Sequence, residues 1–366
     1  MKAMTMQATR SKKAAVLLGF FVCCGALLAF PTAAATGAKR GLAVCGNVLI
    51  PTLLPFMALA SFLVESGLSD VLGRRCSRLT AAVFGLPGCC AAGIFLAFIG
   101  GYPAGAAACV KLVERGQLTI ADARRMMRFS VVAGPAFVVG TVGAGLLGSP
   151  LHGWLLLFSQ WAAALLLGIL GGGGRRKSLP SPPPKTAPKS LLAAASVAVG
   201  DAARAMVVMS GFVTVVSGGL SVLDAAGLPK ILTDAVAAVS EVSVGCLAVA
   251  PNAVALAACI GFGGLSVCGQ IATLFSFSVL DRGFFAARVA HAALAAVFAW
   301  ILFCVCPLPV AVFAAGQVKT VPFSCGFTGS AALLATFVTA VLTLPQKPLA
   351  FFGDVCYTAK RKGRAE

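Results

Sequence analysis

The sequence has little charge: only 11% of its 366 residues are Asp, Glu, Lys or Arg, whereas ordinary soluble domains have roughly 25%. So few charged side chains cannot cover the surface of a soluble fold. Acids are scarcest, with 11 against 29 Lys and Arg, and only two histidines are present. Walker phosphate loops and GxSxG nucleophile motifs are missing. The composition therefore argues against an enzyme, and neither ATP-driven transport nor serine hydrolysis has a motif to support it.

Metal-binding spacing is also missing, although the chain has 14 cysteines. No CxxC pair occurs, and Cys45, Cys109, Cys246 and Cys259 lie inside apolar runs, where cysteine behaves as a small hydrophobic residue. The other close pairs have no histidine partner at zinc-ligand spacing. We therefore expect neither a bound metal nor a cofactor.

Long uncharged runs dominate instead. Hydrophobic residues make up 59% of the chain and the mean hydropathy is +0.96. Runs of about 17 to 25 apolar residues can cross a bilayer core of roughly 30 Å as helices. The sequence thus predicts an all-α polytopic membrane protein with about 8–10 transmembrane segments. The candidate spans are residues 14–30, 41–64, 126–147, 150–172, 205–223, 231–250, 289–310 and 326–345. A cleaved signal peptide is the weaker alternative for the first of them.

Composition divides the chain into five parts. They are a basic tail with a first helix (1–40), a membrane repeat (41–172), a linker (173–190), a second membrane repeat (191–346) and a basic tail (347–366). The linker is rich in glycine, proline and basic residues, so it cannot form a packed span. The net charge of +18 lies mainly in loops and tails, which is typical of cytoplasmic segments rather than of nucleic-acid binding. We expect the linker and the C-terminal tail to face the cytoplasm.

Short matches recur in the same order in both halves. Residues 98–101 resemble residues 261–264, and the Arg-Gly pair at 115–116 resembles that at 282–283. Internal duplication of this kind is the usual construction of secondary transporters. The sequence leaves open whether the two repeats are inverted or parallel.

The first candidate site is a Gly/Pro interruption within the apolar segment 88–110. Proline removes a backbone hydrogen bond, and freed backbone groups at membrane depth are tolerated only inside protein or along a watery cavity. Basic residues flank the segment on both sides, so we expect a re-entrant hairpin. Close packing through small residues is the alternative, but it does not require the tyrosine ring and hydroxyl. The residues concerned are Gly100, Gly101, Tyr102, Pro103 and Gly105.

The second candidate site lies in segment 253–280, where Gly263 and Gly264 predict another broken or re-entrant helix. Ser266 and Gln270 follow, four residues apart and therefore on one helical face. Together they suit a polar solute, although an interhelical hydrogen bond would use the same groups.

Three further positions are notable. Glu241 lies between apolar stretches of segment 231–250, and a carboxylate near the bilayer centre is usually functional or paired; a helix end near water is the alternative. Gly134 and Pro135 predict a kink that could line a path. His291 follows Arg288 by three residues, and we expect it at the membrane interface rather than as a catalytic base.

These motifs resemble the YlbJ-type sporulation integral membrane proteins, within the wider group that has the nucleoside-recognition Gate domain. The resemblance covers roughly residues 41–172 and 191–310. It rests on LPF at 54–56, GGYPAGA at 100–106, ERG at 114–116, GPAF at 134–137, Glu241, FGGLSVCGQ at 262–270 and the Arg288/His291 segment. In that family an Asn often precedes the Gly-Pro, where this chain has Ala133. If that Asn binds the solute, the site is altered here.

The resemblance implies a multi-pass cell-membrane protein of a spore-forming bacterium that transports dipicolinate, an aromatic dicarboxylate. The residues alone predict a carrier in the lipid bilayer for a small polar or anionic solute, with H+ or Na+ as candidate coupling ions. Two alternatives stay open: a nucleoside-type carrier and a non-transporting membrane scaffold or assembly factor for sporulation. A homo-oligomer is compatible with either, and no nucleic-acid partner is expected.

Overall fold

Helices form all the regular secondary structure in the described residues, which are 17–172, 189–275 and 279–306 of a computed structural model, with the side chains of residues 48 and 52 left out. The predicted span 326–345, the C-terminal tail and most of the linker lie outside these ranges. The boundaries proposed for the five parts of the chain therefore stay predictions.

The first half begins with four α-helices, two pairs of which bend sharply where they join. The first helix meets the next one at 96°, and the third meets the fourth at 84°. The fourth helix is amphipathic, because Arg74 and Arg78 are exposed on it while Leu72 and Phe84 are buried. The elements are α1 (Leu17–Ala29), α2 (Pro31–Val44), the π-helix π1 (Cys45–Leu49), α3 (Ile50–Glu65) and α4 (Leu68–Phe84).

A helical hairpin follows, formed by α5 (Cys90–Gly100) and α6 (Tyr102–Glu114) and here called hairpin 1. The two arms pack antiparallel, since a Cβ on Gly105 would lie 2.4 Å from Cβ of Ala97 and one on Gly93 would lie 3.5 Å from Cβ of Ala108. Gly101 forms the tip, with φ +86°. The prediction of a re-entrant hairpin interrupted at Gly101 is confirmed.

A second hairpin, hairpin 2, consists of α10 (Lys230–Ser240) and α11 (Val242–Val249) with Glu241 at its tip. A Cβ on Gly245 would lie 2.7 Å from Cα of Ala238, so these arms also pack antiparallel. The prediction of a single span over residues 231–250 is wrong. Hydropathy alone cannot distinguish one apolar helix from two short arms, because both are buried from water.

Each half also contains a helix that is interrupted without folding back. In the first half α7 (Ile120–Phe129) and the π-helix π2 (Ala136–Leu146) are separated by residues 130–135, so the predicted continuous span 126–147 is wrong. In the second half α12 (Ala253–Phe262) and α13 (Gly264–Leu274) meet at Gly263, with φ +84°. The prediction of an interruption near Gly264 is confirmed.

A long helix packs along each broken helix. It is α8 (Pro150–Gly172) in the first half and α14 (Arg282–Val305) in the second. Close glycine contacts hold each pair together: a Cβ on Gly153 would lie 2.7 Å from Cα of Val139, and one on Gly261 would lie 2.9 Å from Cα of Ala292. The remaining helix, α9 (Leu191–Ala225), precedes hairpin 2.

The same order of elements therefore occurs twice: hairpin, broken helix and long packing helix. This order pairs the two hairpin tips, Gly101 with Glu241, and the two helix breaks, Gly134 with Gly264. The sequence register that matched residues 98–101 with residues 261–264 is thus wrong. Glycine interrupts a helix equally well at a hairpin tip and at a break, so the short motif matched two different elements.

The two hairpins enter the fold from opposite ends of α9. At the base of hairpin 1, Lys111 pairs with Asp201 near the start of α9, with Nζ 2.9 Å from the carboxylate. Hairpin 2 begins five residues after α9 ends at Ala225. Because α9 has 35 residues, it is about 52 Å long. The two hairpins therefore enter from opposite directions, which favours the inverted arrangement of the two that the sequence left open.

Four helical segments of the described chain are long and apolar enough to cross a membrane, or up to six if each bent pair is one span. The four are α8, α9, α12 with α13, and α14. The all-α polytopic fold with broken and re-entrant helices is as predicted.

Candidate functional site

Both hairpin tips and both broken helices meet at one cavity, which has an empty volume of about 530 Å³ with its open side included. π1, α3 and α9 complete its wall. Six of the residues predicted from sequence line it: Gly101, Tyr102, Pro103, Gly134, Glu241 and Gln270. The packing of the two halves against each other thus brings residues that are far apart in sequence to one cavity.

The tip of hairpin 1 is held by contacts in both halves. Gly101 lies against the break at Gly134, where no Cβ would fit, since it would come within 2.9 Å of the Gly134 amide nitrogen. Tyr102 is buried, and its hydroxyl donates a 2.5 Å hydrogen bond to the Ile260 carbonyl near the end of α12. Pro103 occupies the first turn of α6, where its missing N–H leaves no hydrogen bond unmade.

The tip of hairpin 2 presents a buried carboxylate. Glu241 is 2% exposed, and its Oε2 accepts a 2.9 Å hydrogen bond from the Val244 N–H at the start of α11. The backbone of Gly264 packs closely against it, since a Cβ there would lie 3.1 Å from Cα of Glu241. Glu241 is therefore at a helix end, yet buried beside a cavity, which combines features of both expectations drawn from the sequence.

The rest of the lining is mainly apolar. It includes Leu49, Leu53, Phe137, Met209, Val213, Val242 and Val267, with hydroxyl groups from Thr141 and Ser243. Among the described residues of this lining, Glu241 is the only acid and none is Lys or Arg. Positive potential comes instead from the N-terminus of α6 at the tip of hairpin 1, because helix N-termini favour anions.

The other predicted residues shape the site without lining the cavity. Gly105 lets the arms of hairpin 1 meet, and Gly264 lets α13 approach Glu241. Ser266 is 2% exposed and its hydroxyl has no hydrogen-bond partner among the described residues. Gly100, Pro135 and Gly263 lie beside the tips and breaks.

Sequence reasoning missed a buried polar cluster between α8 and α14. Arg288 and His291 are each 1% exposed, so the prediction that His291 lies at the membrane interface is wrong. Its Nε2 lies 3.1 Å from the Gln160 carbonyl oxygen, and the Gln160 amide donates to the Ala257 carbonyl at 2.9 Å. An arginine within an apolar run could have indicated this cluster, because intramembrane charges are rare and usually paired or functional.

Metal binding has no structural support in the part of the chain described. No group of three or more histidine, cysteine or acidic side chains there could hold a metal ion. The expectation that the protein needs neither metal nor cofactor stays a prediction.

The fold and the cavity define a multi-pass α-helical membrane protein. A segment of 143 residues is 27% identical to the sporulation integral membrane protein YlbJ of Bacillus subtilis (strain 168). The segment covers 39% of this chain and 35% of that relative, so the chain matches only about a third of the relative's length. No family model matches the chain, and no solved structure matches it. The distant similarity supports the YlbJ-type resemblance, whereas the wider Gate-domain grouping stays an interpretation.

Proposed function

We propose that the chain is a secondary membrane carrier whose solute binds in the cavity between the two hairpin tips. The observation that carries this proposal is the convergence of two oppositely inserted hairpins and two broken helices on one cavity. Inverted repeats with discontinuous helices at the midplane are the usual construction of secondary transporters. A scaffold that only needs close packing has no use for such a cavity, nor for a carboxylate beside it.

We further propose a role in sporulation, on the basis of the similarity to YlbJ of Bacillus subtilis, with an aromatic dicarboxylate such as dipicolinate as the solute. The apolar lining, which includes Phe137, suits an aromatic ring. One carboxylate of the solute would be stabilised by the N-terminus of α6. Because Glu241 would repel a dianion, transport would require a proton or a cation beside it.

A neutral nucleoside-type solute is the second candidate. It is favoured because no Lys or Arg occurs among the lining residues that the structure describes, since a dianion is usually bound by basic side chains. Both candidates describe a carrier rather than an enzyme. Neither proposal requires a nucleic-acid partner or a particular oligomeric state.

Uptake into proteoliposomes tests the proposal. Purified full-length protein should give saturable uptake of labelled dipicolinate or of labelled uridine above that of empty liposomes. Met209→Trp should abolish this uptake because Met209 lines the cavity and a larger ring would fill it. Val207→Trp is the matched control, since Val207 lies on the same helix and is 73% exposed.

Equal uptake by the Met209→Trp and Val207→Trp proteins would exclude the cavity as the solute path. If the wild-type protein transports neither solute, the carrier proposal fails for both classes and the scaffold function is favoured.

A further inference from the structure

Arg288 on α14 is the largest fully buried side chain in the described part of the chain. Its guanidinium donates to the Val131 carbonyl at 2.5 Å and to the Arg128 carbonyl at 3.1 Å, and it reaches the Gly261 carbonyl at 3.4 Å. None of the ion pairs found among the described residues includes it. The charge of Arg288 is therefore compensated by backbone oxygens.

These oxygens belong to the C-terminal ends of two half-helices. Arg128 is in the last turn of α7 and Val131 follows it in the break, while Gly261 is in the last turn of α12. The last carbonyls of a helix have no intrahelical partner, and the helix dipole makes this end negative. Two such ends, one from each half, point at the same guanidinium.

One nearby carbonyl of each end already has another donor. The Ile260 carbonyl accepts the Tyr102 hydroxyl, and the Met126 carbonyl accepts the Ser130 amide. Phe284, on the same helix as Arg288, has its ring centroid 5.7 Å from the guanidinium carbon. A cation at this position thus has oxygen ligands from the helix ends and an aromatic face beside it.

We propose that the C-terminal ends of α7 and α12 form a cation-binding site that the protein fills with its own Arg288. Unwound carbonyls and half-helix C-termini are the groups that coordinate alkali ions in broken-helix membrane proteins. Arginine stays charged in proteins, so the site is occupied permanently and both breaks are cross-linked through one side chain. An alkali ion would have to compete for the same oxygens.

One consequence rests on the proposed function. If the chain is a carrier, its coupling ion does not bind at this position, and Glu241 is the acid in the described cavity lining that can bind a proton. The cation site itself does not depend on transport, because it can be tested by the stability of the purified protein without any solute.

The test is the thermal unfolding of full-length protein in detergent. Arg288→Ala should lower the Tm by about 5 °C or more, because three helix-end carbonyls lose their donor. About 20 mM guanidinium chloride should restore part of this loss, and choline chloride at equal ionic strength should not, because only guanidinium fits the vacated site. Met57→Ala is the matched control: Met57 is 2% exposed on α3, and guanidinium should not restore that variant.

A second pair of variants separates charge from packing. Arg288→Lys keeps a cation and should be more stable than Arg288→Met, which keeps an apolar stem of similar length. The reverse order, or equal rescue of Met57→Ala by guanidinium, would show that Arg288 only fills space. The wild-type protein gives an independent measurement: its Tm should be the same in sodium chloride and in choline chloride. Stabilisation by sodium would show that the breaks still bind an alkali ion and would overturn the proposal.

Discussion

Gly101 and Gly134 touch backbone to backbone, and neither position has room for a side chain. A Cβ on either residue would come within 2.9 Å of a backbone nitrogen of the other. This contact joins the tip of hairpin 1 to the break between α7 and π2. It is repeated in the second half by Glu241 and Gly264, whose backbones approach almost as closely.

Gly101→Ala should destabilise the protein. The residue has φ +86° and ψ −171°, a conformation essentially limited to glycine, and occupying it with another residue costs about 1–3 kcal/mol. The contact with Gly134 adds to this. Thermal unfolding in detergent should therefore show a lower Tm for Gly101→Ala. The control is Gly200→Ala, where a Cβ has open space on α9 and helix propensity favours alanine. Equal Tm values for the two variants would contradict the tight contact.

Glu241→Gln should leave insertion and folding intact while removing the dependence of uptake on pH or sodium. Glutamine keeps the volume and an oxygen that can accept the Val244 N–H, but it cannot bind a proton or neutralise a cation. Uptake of the solute into proteoliposomes, measured against pH and sodium concentration, gives the comparison.

Asp234→Asn is the matched control for that experiment, since Asp234 is an acid on the same hairpin that pairs with Lys230 outside the cavity lining. It should retain the wild-type ion dependence. A Glu241→Gln protein with unchanged uptake and unchanged pH and sodium profiles would show that Glu241 serves only as a helix cap.

Asp281 should make stability depend on pH in the acid range. It lies just before α14, accepts a 2.7 Å hydrogen bond from the Phe284 N–H and pairs with Arg128 at 3.0 Å. Partial burial raises the pKa of its carboxyl. The hydrogen bond from Phe284 and the ion pair with Arg128 together lower it by more, so the pKa lies below the ordinary value of 3.8. The stabilisation is thus fully present above about pH 4 and is lost as the pH falls through the lowered pKa.

Asn can still cap α14 but has no charge to pair with Arg128 or to interact with the helix dipole, so Asp281→Asn should lower the free energy of unfolding by about 0.5 kcal/mol at neutral pH and by less at acid pH. Asp224→Asn is the control, because Asp224 is exposed. The measurement is the free energy of unfolding of wild type and of Asp281→Asn between about pH 3 and pH 7. A difference between the two proteins that does not shrink on acidification would contradict this prediction.

Opposite insertion of the hairpins predicts opposite labelling of two sites. The Lys and Arg side chains near the base of hairpin 1 include Lys111, Arg125 and Lys189, so this end should face the cytoplasm. In a background without other cysteines, Ser181→Cys in the linker should be protected from an impermeant maleimide added to intact cells. Ala226→Cys, at the other end of α9, should react. Labelling of Ser181→Cys with protection of Ala226→Cys would reverse the orientation.

Much of the architecture follows from composition. The shortage of charge and the long apolar runs decide the membrane class, because only helices satisfy their own backbone groups in lipid. The Gly-Gly-Tyr-Pro run predicts the tip of hairpin 1, since proline and glycine interrupt a helix wherever they occur in it. The sequence also identified Glu241 and Gln270 as unusual polar residues in apolar surroundings.

Only the tertiary structure decided how these pieces pair. The fold-back at Glu241 depends on the contact of Gly245 with α10, and the apolar pattern of residues 231–250 is equally compatible with one straight helix. Gly101 and Gly134 are 33 positions apart, and Arg288 contacts the Val131 and Arg128 carbonyls from 157 and 160 positions away, in the other half. Such contacts come from the packing of distant segments against each other. A local motif indicates that a helix is interrupted, but it does not indicate which other backbone segment packs against the interruption.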